Sequence, residues 1–535
     1  MRRLLVSALV LTALTGSSGA WAARVEGTAG ADRLRGTSGP DTLFGRGGND
    51  FIDGRGGRDV LSGGVGNDSI LSAGDGAPDV VSCGPGRDVV NADLGDAVAP
   101  DCEAVSRELS RDPYRNPIAQ HETEVEPDSF AWGSTIVTTF QVGRYVDGGA
   151  MNIGFATSRD RGRTWSSGLL PGLSLFSPTG GIFERVSDPV IAYDSVHRVW
   201  LIGSLGLAGD EVDLAVSRSR DGVSWSQPVI AARGAEFDKE WITCDNWRRS
   251  RFRGRCYLSY LEFTTEQIQT RTSGNGGLSW SAPGSWELPR GLNAIVNGVQ
   301  PVARPDGSLT VVFAVFDAYR DVSLNEIAAL RSVDGGRTFA PPVHAASLWS
   351  SDMYPMRAPP LPSAAVDSSG RIWVAWSDCR FATDCDANGI VLVNSRNGVT
   401  WSRPHRVGVG DARPTVDHFL PGLAVSGYGG RTKVAVAYYS LPQQVRCDYS
   451  CGGFVDAWLS LSRDAGATWA PAHRLSVQPM PLRWIAEADI GRMLGDYIST
   501  SFVRGRPVPV LSFASQPTGG RFKQAIFAAT RVTTP

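Results

Sequence analysis

Six short segments of this chain repeat one pattern at a nearly constant interval, and that interval constrains the architecture more than any single residue does. They are Ser158-Arg-Asp160-Arg-Gly162-Arg-Thr164-Trp165, Ser219-Arg-Asp221-Gly-Val-Ser-Trp225, Ser273-Gly-Asn275-Gly-Gly277-Leu-Ser-Trp280, Ser332-Val-Asp334-Gly-Gly336-Arg-Thr-Phe339, Ser395-Arg-Asn397-Gly-Val-Thr-Trp401 and Ser462-Arg-Asp464-Ala-Gly466-Ala-Thr-Trp469. The closing aromatics stand 60, 55, 59, 62 and 68 residues apart, so a unit of about 60 residues recurs. Asp or Asn beside Gly is turn chemistry: the short side chain bonds nearby amides while Gly takes a positive φ. The Ser/Thr and aromatic that follow suit a strand whose ring packs under that turn. Each unit reads as one blade of a propeller.

The pattern resembles the Asp-box of bacterial sialidases and related propellers. The resemblance implies that these six turns brace the blade rims, away from any catalytic centre. Inner-strand signatures recur around Glu122-Thr-Glu124, Ser187-Asp188-Pro, Asp238-Lys-Glu240, Asn297-Gly-Val, Leu361-Pro-Ser, Phe419-Leu-Pro and Leu494-Gly-Asp496-Tyr497. These seven units, the last without an Asp-box, point to seven blades, with six, as in the sialidases, as the alternative. The last strand, around Ala525–Ala529, is expected to pair with the N-terminal segment and remove a free edge.

A second period runs from Gly27. Asp32, Asp41, Asp50, Asp59 and Asp68 stand nine residues apart, each followed two residues later by Leu34, Leu43, Ile52, Leu61 or Ile70. Asp79 and Asp88 continue the series after a two-residue slip. Gly-rich turns offer backbone carbonyls and the aspartates offer carboxylates, a set of hard oxygens that suits calcium. The segment resembles the haemolysin-type (RTX) calcium-binding nonapeptides, which implies Ca2+ at Asp32, Asp41, Asp50, Asp59, Asp68, Asp79 and Asp88 and a narrow parallel β-roll filled by the aliphatic residues. Thr28, Thr37 and Arg46 depart from the second Gly of that pattern.

The expected fold is therefore all-β, an RTX-like parallel β-roll over 23–102 and a sialidase-like β-propeller over 117–535, joined by a polar linker over 103–116. Residues 1–22 read as a secretory signal peptide: Met1-Arg2-Arg3, an apolar run from Leu4 to Leu14, and small residues before Ala22. The eight cysteines fall in close pairs, Cys83 with Cys102, Cys244 with Cys256, Cys379 with Cys385 and Cys447 with Cys451, which suits local disulfides in an oxidising compartment. Zinc is the rival reading, but no Cys-x2-Cys pair is present. A net charge of −2 argues against a nucleic-acid binder, and no segment after the leader has the apolar length of a membrane helix. A secreted protein, extracellular or at the cell surface, is expected.

In a propeller, ligands favour the mouth of the central channel. Candidates there are Glu122, Glu124, Asp188, Asp238, Glu240, Arg357, Asp378, Arg380, Asp417, His418, Arg492, Asp496 and Tyr497. That family uses three arginines on the substrate carboxylate, a Tyr nucleophile with a neighbouring Glu and an Asp acid/base. The resemblance therefore implies Tyr497 as nucleophile with Glu240 activating it, and Asp238, Arg357 and Arg380 as further catalytic candidates whose roles it does not assign one by one. The Arg-Ile-Pro motif that carries that family's first arginine is absent. The leading expectation is thus a calcium-binding protein whose propeller is a binding or scaffold module for extracellular carbohydrate, and the alternative is an exo-acting glycosidase. Two loops complete the reading: Trp247-Arg-Arg-Ser-Arg-Phe-Arg-Gly-Arg255, a solvated or acid-gripping arginine loop, and Asp384-Cys-Asp386-Ala-Asn388-Gly389, which opens like an EF-hand loop but has Ser395 at its twelfth position.

Overall fold

The computed structural model describes residues 22–287, 294–317, 325–442 and 453–533. Strand accounts for 51% and helix for 2%, so the chain is all-β. The Cys447 and Cys451 pair and the signal-peptide reading over 1–21 lie outside the described residues.

The nonapeptide period becomes a two-sided parallel roll. One sheet stacks Arg24–Glu26, Thr42–Gly47, Val60–Val65, Val80–Ser82 and Ala97–Val98, and the other Arg33–Arg35, Phe51–Asp53, Ser69–Leu71, Val89–Ala92 and Ala104–Glu108. Leu43 lies over Leu61 and Leu34 over Ile52, so two nonapeptides make one turn of 18 residues. Leu43, Ile52, Leu61 and Ile70 are fully buried between the sheets, and Val81 and Val90 take the same role after the slip. Stacked turns leave no room for side chains at their corners. A Cβ on Gly66, whose φ is +139°, would lie 1.9 Å from the Gly48 carbonyl one turn below. The Cys83–Cys102 disulfide clips the end of the roll.

Beyond residue 124 the chain forms antiparallel sheets: one of eight strands, in which two units join at Ala150↔Val186, three of four, one of five, and a last trio in the sheet shared with the roll. Their first strands are Val125–Trp132, Arg185–Asp194, Phe237–Cys244, Ala294–Ala303, Ser363–Val366, Val416–Ser426 and Ser499–Val503. Each touches the next, and Ser499–Val503 touches Val125–Trp132, which closes a ring around a central channel. All six Asp-box segments form the expected turn. In the second, Asp221 Oδ1 accepts the amides of Val223 (2.9 Å) and Ser224 (2.7 Å), and Ser219 Oγ accepts the Gly222 amide at 2.8 Å.

Residues 103–116, read from the sequence as a linker, contain a strand held on both edges. Ala104–Glu108 pairs in parallel with Val89–Ala92 of the roll and antiparallel with Gln524–Val532, the last strand of the chain. Gln524–Val532 pairs with Arg506–Ala514, and that strand with Ser499–Val503. One continuous sheet therefore runs from the roll into the sheet that completes the ring. The expected pairing of Ala525–Ala529 with the N-terminal segment is present, through Arg107↔Ala528 and Ser106↔Ala529.

Candidate functional site

The channel mouth is built by a repeated irregularity. In five of the first strands the register slips at one position, between Val125 and Asp128, Ser187 and Val190, Asp238 and Trp241, Asn297 and Gln300, and Phe419 and Gly422. Within these bulges Glu126, Asp188, Lys239, Gly298 and Leu420 have φ of +54°, +48°, +49°, +69° and +52°. A bulge inserts a residue and breaks the in–out alternation of the strand. Left-handed backbone at non-glycine residues is strained, and such strain gathers at functional positions.

Three of these bulge residues meet. Lys239 Nζ lies 2.9 Å from Asp188 Oδ2, 2.9 Å from Asp496 Oδ2 and 3.6 Å from Glu126 Oε1. Arg357 holds Asp496 from the other side with a two-pronged contact, Nε to Oδ1 and Nη2 to Oδ2, both 2.8 Å, and its Nη1 reaches Asp489 at 3.0 Å. Gln141 donates to Glu126 Oε2. Burial works to depress the Lys239 ammonium, but Asp188, Asp496 and Glu126 outweigh it and hold the group well above its usual range. Burial also pushes Asp496 upward, and there Lys239 and Arg357 win and hold it well below the carboxylate range. Burial, aided by Asp188 and Asp496, lifts Glu126 to about 8 despite Lys239. Asp238, lifted to about 6 by burial and Asp188, lines two hollows that flank the cluster. They enclose about 400 and about 390 Å³. Trp349 and Tyr354, next in sequence to Ser350 and Met353 of the second hollow's lining, each keep 49% of their surface exposed.

The sequence candidates divide accordingly. Asp188, Asp238, Arg357 and Asp496 converge at the mouth. Arg492 is nearby, with Nη1 on the Ile485 carbonyl at 2.9 Å. Tyr497 lies under the cluster, its ring 5.5 Å from Lys239 Nζ, but its hydroxyl donates to the Pro189 carbonyl at 3.1 Å and it lines neither hollow. Burial and the Glu126 charge raise its phenol well above the usual range, the direction opposite to activation. Glu240 is 1% exposed, and neither carboxylate oxygen has a hydrogen-bond partner. Arg380 is not brought to the mouth: it chelates Asp378 and lies 5.6 Å from the Trp376 ring. Buried His418 bonds the carbonyls of Asn388 and Gly410, and Asp417 accepts the Asn388 amide. Glu122 pairs with Arg115 at 3.7 Å, and Glu124 is buried. In the EF-hand-like loop, the Asn388 amide group bonds both backbone groups of Ser351.

Three guanidiniums line the larger hollow, and each is engaged. Arg144 donates to the Tyr145 and Glu487 carbonyls, both at 2.8 Å, Arg185 pairs with Asp147 at 2.7 Å, and Arg357 holds Asp496. Sequence reasoning missed Lys239, Glu126 and Arg144. A signal for the first was available: Lys239 is one of only three lysines in the chain, and it stands between two selected acids.

Burial pushes Glu240 well above the usual carboxylate range, with Asp188 adding to it. A raised carboxylate contributes stability that is present below its unfolded pKa and is lost as pH rises toward the folded one. Glu240→Gln removes that loss. Urea midpoints of the variant are expected to rise relative to the parent between pH 5 and pH 9; parallel profiles would rule out a strained, uncompensated Glu240.

In the roll, the aspartates form two ladders along the axis. The amides of Asp41, Asp59 and Asp79 donate to Oδ1 of Asp59, Asp79 and Asp96, and those of Asp32, Asp50 and Asp68 to Oδ1 of Asp50, Asp68 and Asp88, all at 2.7–2.9 Å. Asp88 donates in turn to Glu103 Oε2 at 3.0 Å. Asp96 and Glu103 were not legible as ladder members because they break the nine-residue spacing. The second oxygens differ along the stack. Thr28 supplies its amide (2.6 Å) and hydroxyl (2.9 Å) to Asp32 Oδ2, and Thr37 does the same for Asp41. In the later turns Arg46, Arg55, Gly64 and Gly84 have positive φ, and Oδ2 of Asp50, Asp59, Asp68 and Asp88 is buried without a partner. Two of those oxygens lie beside carbonyls: a Cβ on Gly45 would lie 2.3 Å from both Asp50 Oδ2 and Gly63 O, and one on Gly63 would lie 2.3 Å from Asp68 Oδ2 and 2.6 Å from Cys83 O. Among the described residues no group of three or more Asp, Glu, His or Cys side chains is arranged to hold a metal ion by itself, so any cation in the roll would draw mainly on backbone carbonyls.

Residues 26–61, 35–70 and 48–77 match the RTX calcium-binding nonapeptide repeat. No curated protein matches the chain. Among solved structures, a protein of unknown function from Dyadobacter fermentans DSM 18053 is 16% identical, with a TM-score of 0.41, over 62% of this chain and 94% of that one. An ulvan lyase of polysaccharide lyase family PL25 is 13% identical, with a TM-score of 0.42, over 77% and 95%. The Hadza microbial sialidase Hz136 is 14% identical, with a TM-score of 0.38, over 77% and 66%. The chain carries segments over residues 26–77 that match RTX calcium-binding repeats, ahead of an all-β unit whose first strands close in a ring.

Proposed function

We propose that this is a secreted calcium-binding protein in which an RTX-like roll is fused to a seven-bladed, sialidase-like propeller that serves as a binding module for extracellular carbohydrate. The observation that carries the reading is the row of buried, partnerless Oδ2 atoms at Asp50, Asp59, Asp68 and Asp88, those of Asp50 and Asp68 lying beside a backbone carbonyl. A buried carboxylate oxygen without a partner is unfavourable, and a hard divalent cation would supply what it lacks. Calcium, when bound, would join successive turns electrostatically. The seven first strands in cyclic contact support the blade count. At the mouth, two hollows offer a sugar polar groups, and the larger is also lined by Phe237 and Phe263. Isothermal titration of the whole chain with CaCl2 tests the calcium reading: Asp59→Asn with Asp68→Asn is expected to remove most of the heat, and an unchanged isotherm would overturn it.

The second reading, an exo-acting glycosidase, is favoured by Asp238, a half-buried carboxylate tuned to about 6 and lining both hollows. Against it, the arginines that would grip a substrate carboxylate are already occupied and the Tyr497 hydroxyl is turned to a backbone carbonyl. Incubation with a fluorogenic sialoside separates the two. No turnover is expected; turnover abolished by Asp238→Asn or Tyr497→Phe would establish the enzyme.

A further inference from the structure

The disulfide-closed loop between Cys244 and Cys256 lies at the far end of its first strand from Asp238, on the face opposite the mouth. We infer that this face is a docking surface for an acidic polysaccharide bearing sulfate or carboxylate groups. The loop is firmly built. Cys244–Cys256 closes it, Gly254 donates to the Asp245 carbonyl at 2.8 Å, and Asp245 Oδ1 accepts the Trp247 amide at 3.0 Å. Trp247 Nε1 bonds the Ala303 carbonyl at 2.8 Å, anchoring the loop to the next sheet. Phe252 lies between Arg251 and Arg255, whose guanidinium carbons are 4.8 and 4.7 Å from its ring.

The charges displayed on this frame are not balanced. Arg248, Arg249, Arg251 and Arg253 are exposed, and among the described residues none has a carboxylate partner. Neighbouring loops pack against it: Gly254 against Val196, and Gly335 against Phe252 and Arg255. These bring exposed Arg198 and Arg337 to the same face. The acids nearby are committed elsewhere. Asp306 bridges Arg304 and Arg331, Asp334 accepts the amides of its own turn, and buried Asp245 holds Ser250 and Trp247. A rigid array of like charges without counter-charges repels itself and concentrates anions. Guanidinium forks match sulfate and carboxylate geometry, and the frame has already ordered them. The disulfides place the surface in an oxidising compartment, where acidic polysaccharide is the polyanion at hand, and so favour it over nucleic acid.

Fluorescence anisotropy of labelled heparin with the whole protein, across a NaCl series, tests this. The combined change Arg248→Ser, Arg249→Ser, Arg253→Ser is expected to raise the dissociation constant at least about tenfold and to lower the log–log salt slope by about three, one per lost contact. These side chains brace nothing, so circular dichroism and thermal midpoint should not move. Equal affinities of the parent and the variant would overturn the proposal. So would equal binding of the parent to a DNA duplex, or binding that disappears in EGTA and is indifferent to the three changes, which would assign it to the roll.

Discussion

Lys239→Met is expected to destabilise the protein by about 3–5 kcal/mol, the range for breaking a buried ion pair from one side. The ammonium is shared by Asp188, Asp496 and Glu126, and its removal leaves the buried carboxylates of Asp188 and Asp496 without the cation between them. Arg357 still holds Asp496, so the loss falls mainly on Asp188. The sign with pH follows from the two proteins separately. In the parent, Asp496 is held below its ordinary pKa, so its contribution is present above the unfolded value and is lost in acid. In the variant the carboxylates regain a proton more readily, so acid relieves their repulsion. The gap between the two proteins should be widest near pH 7 and should narrow below pH 4. Urea denaturation at these two pH values measures it, and a difference under about 1 kcal/mol at pH 7 would mean that water already screens the cluster.

Calcium withdrawal is the second large effect. One site filled at a hundred times its dissociation constant adds about 2.7 kcal/mol to the folded state, and the roll offers several turns. EGTA is therefore expected to lower the melting transition of the roll substantially. The strand Ala104–Glu108 belongs both to the roll and to the sheet that completes the ring, so the propeller transition should fall as well. Scanning calorimetry in calcium and in EGTA, with the Asp59→Asn and Asp68→Asn double variant as control, reads both transitions. Superimposable traces would end the calcium reading, and a shift confined to one transition would show that the shared strand does not couple the units.

The repeats made the architecture legible because they encode local geometry: a turn every 60 or so residues, and an aliphatic residue every nine. The roll core of Leu34, Leu43, Ile52, Leu61 and Ile70 and the six Asp-box turns follow from patterns that neighbouring residues complete among themselves, whereas the closing role of the last strand follows from the need of a ring to leave no free edge. The mouth was less legible. Lys239 sits between two acids, and strand alternation gives no reason to place its side chain with those of Asp188 and Asp496. A bulge and a left-handed backbone put it there, and both depend on pairing with a strand 20 residues onward. Arg144 and Glu126 escaped for the same reason, since their partners Glu487 and Asp496 lie more than 340 residues away. Tyr497 was selected for its place late in the chain, and chain position says nothing about where a hydroxyl points. The threonines at 28 and 37 were visible as departures from the repeat, but that they donate to Asp32 and Asp41 is a fact of three dimensions.

Glu108 pairs with Phe527, so the outer edge of the last-completed sheet is made more than four hundred residues before the strand that covers it. A chain that emerges N-terminus first must hold Ala104–Glu108 ready, with one edge open, until its final residues are available. Closing so long a loop is slow compared with stacking nonapeptides. A molecule cut short before Gln524 would expose unpaired strand edges on the roll and on Arg506–Ala514 together, which makes the nine residues Gln524–Val532 a checkpoint for whether the whole chain stays soluble.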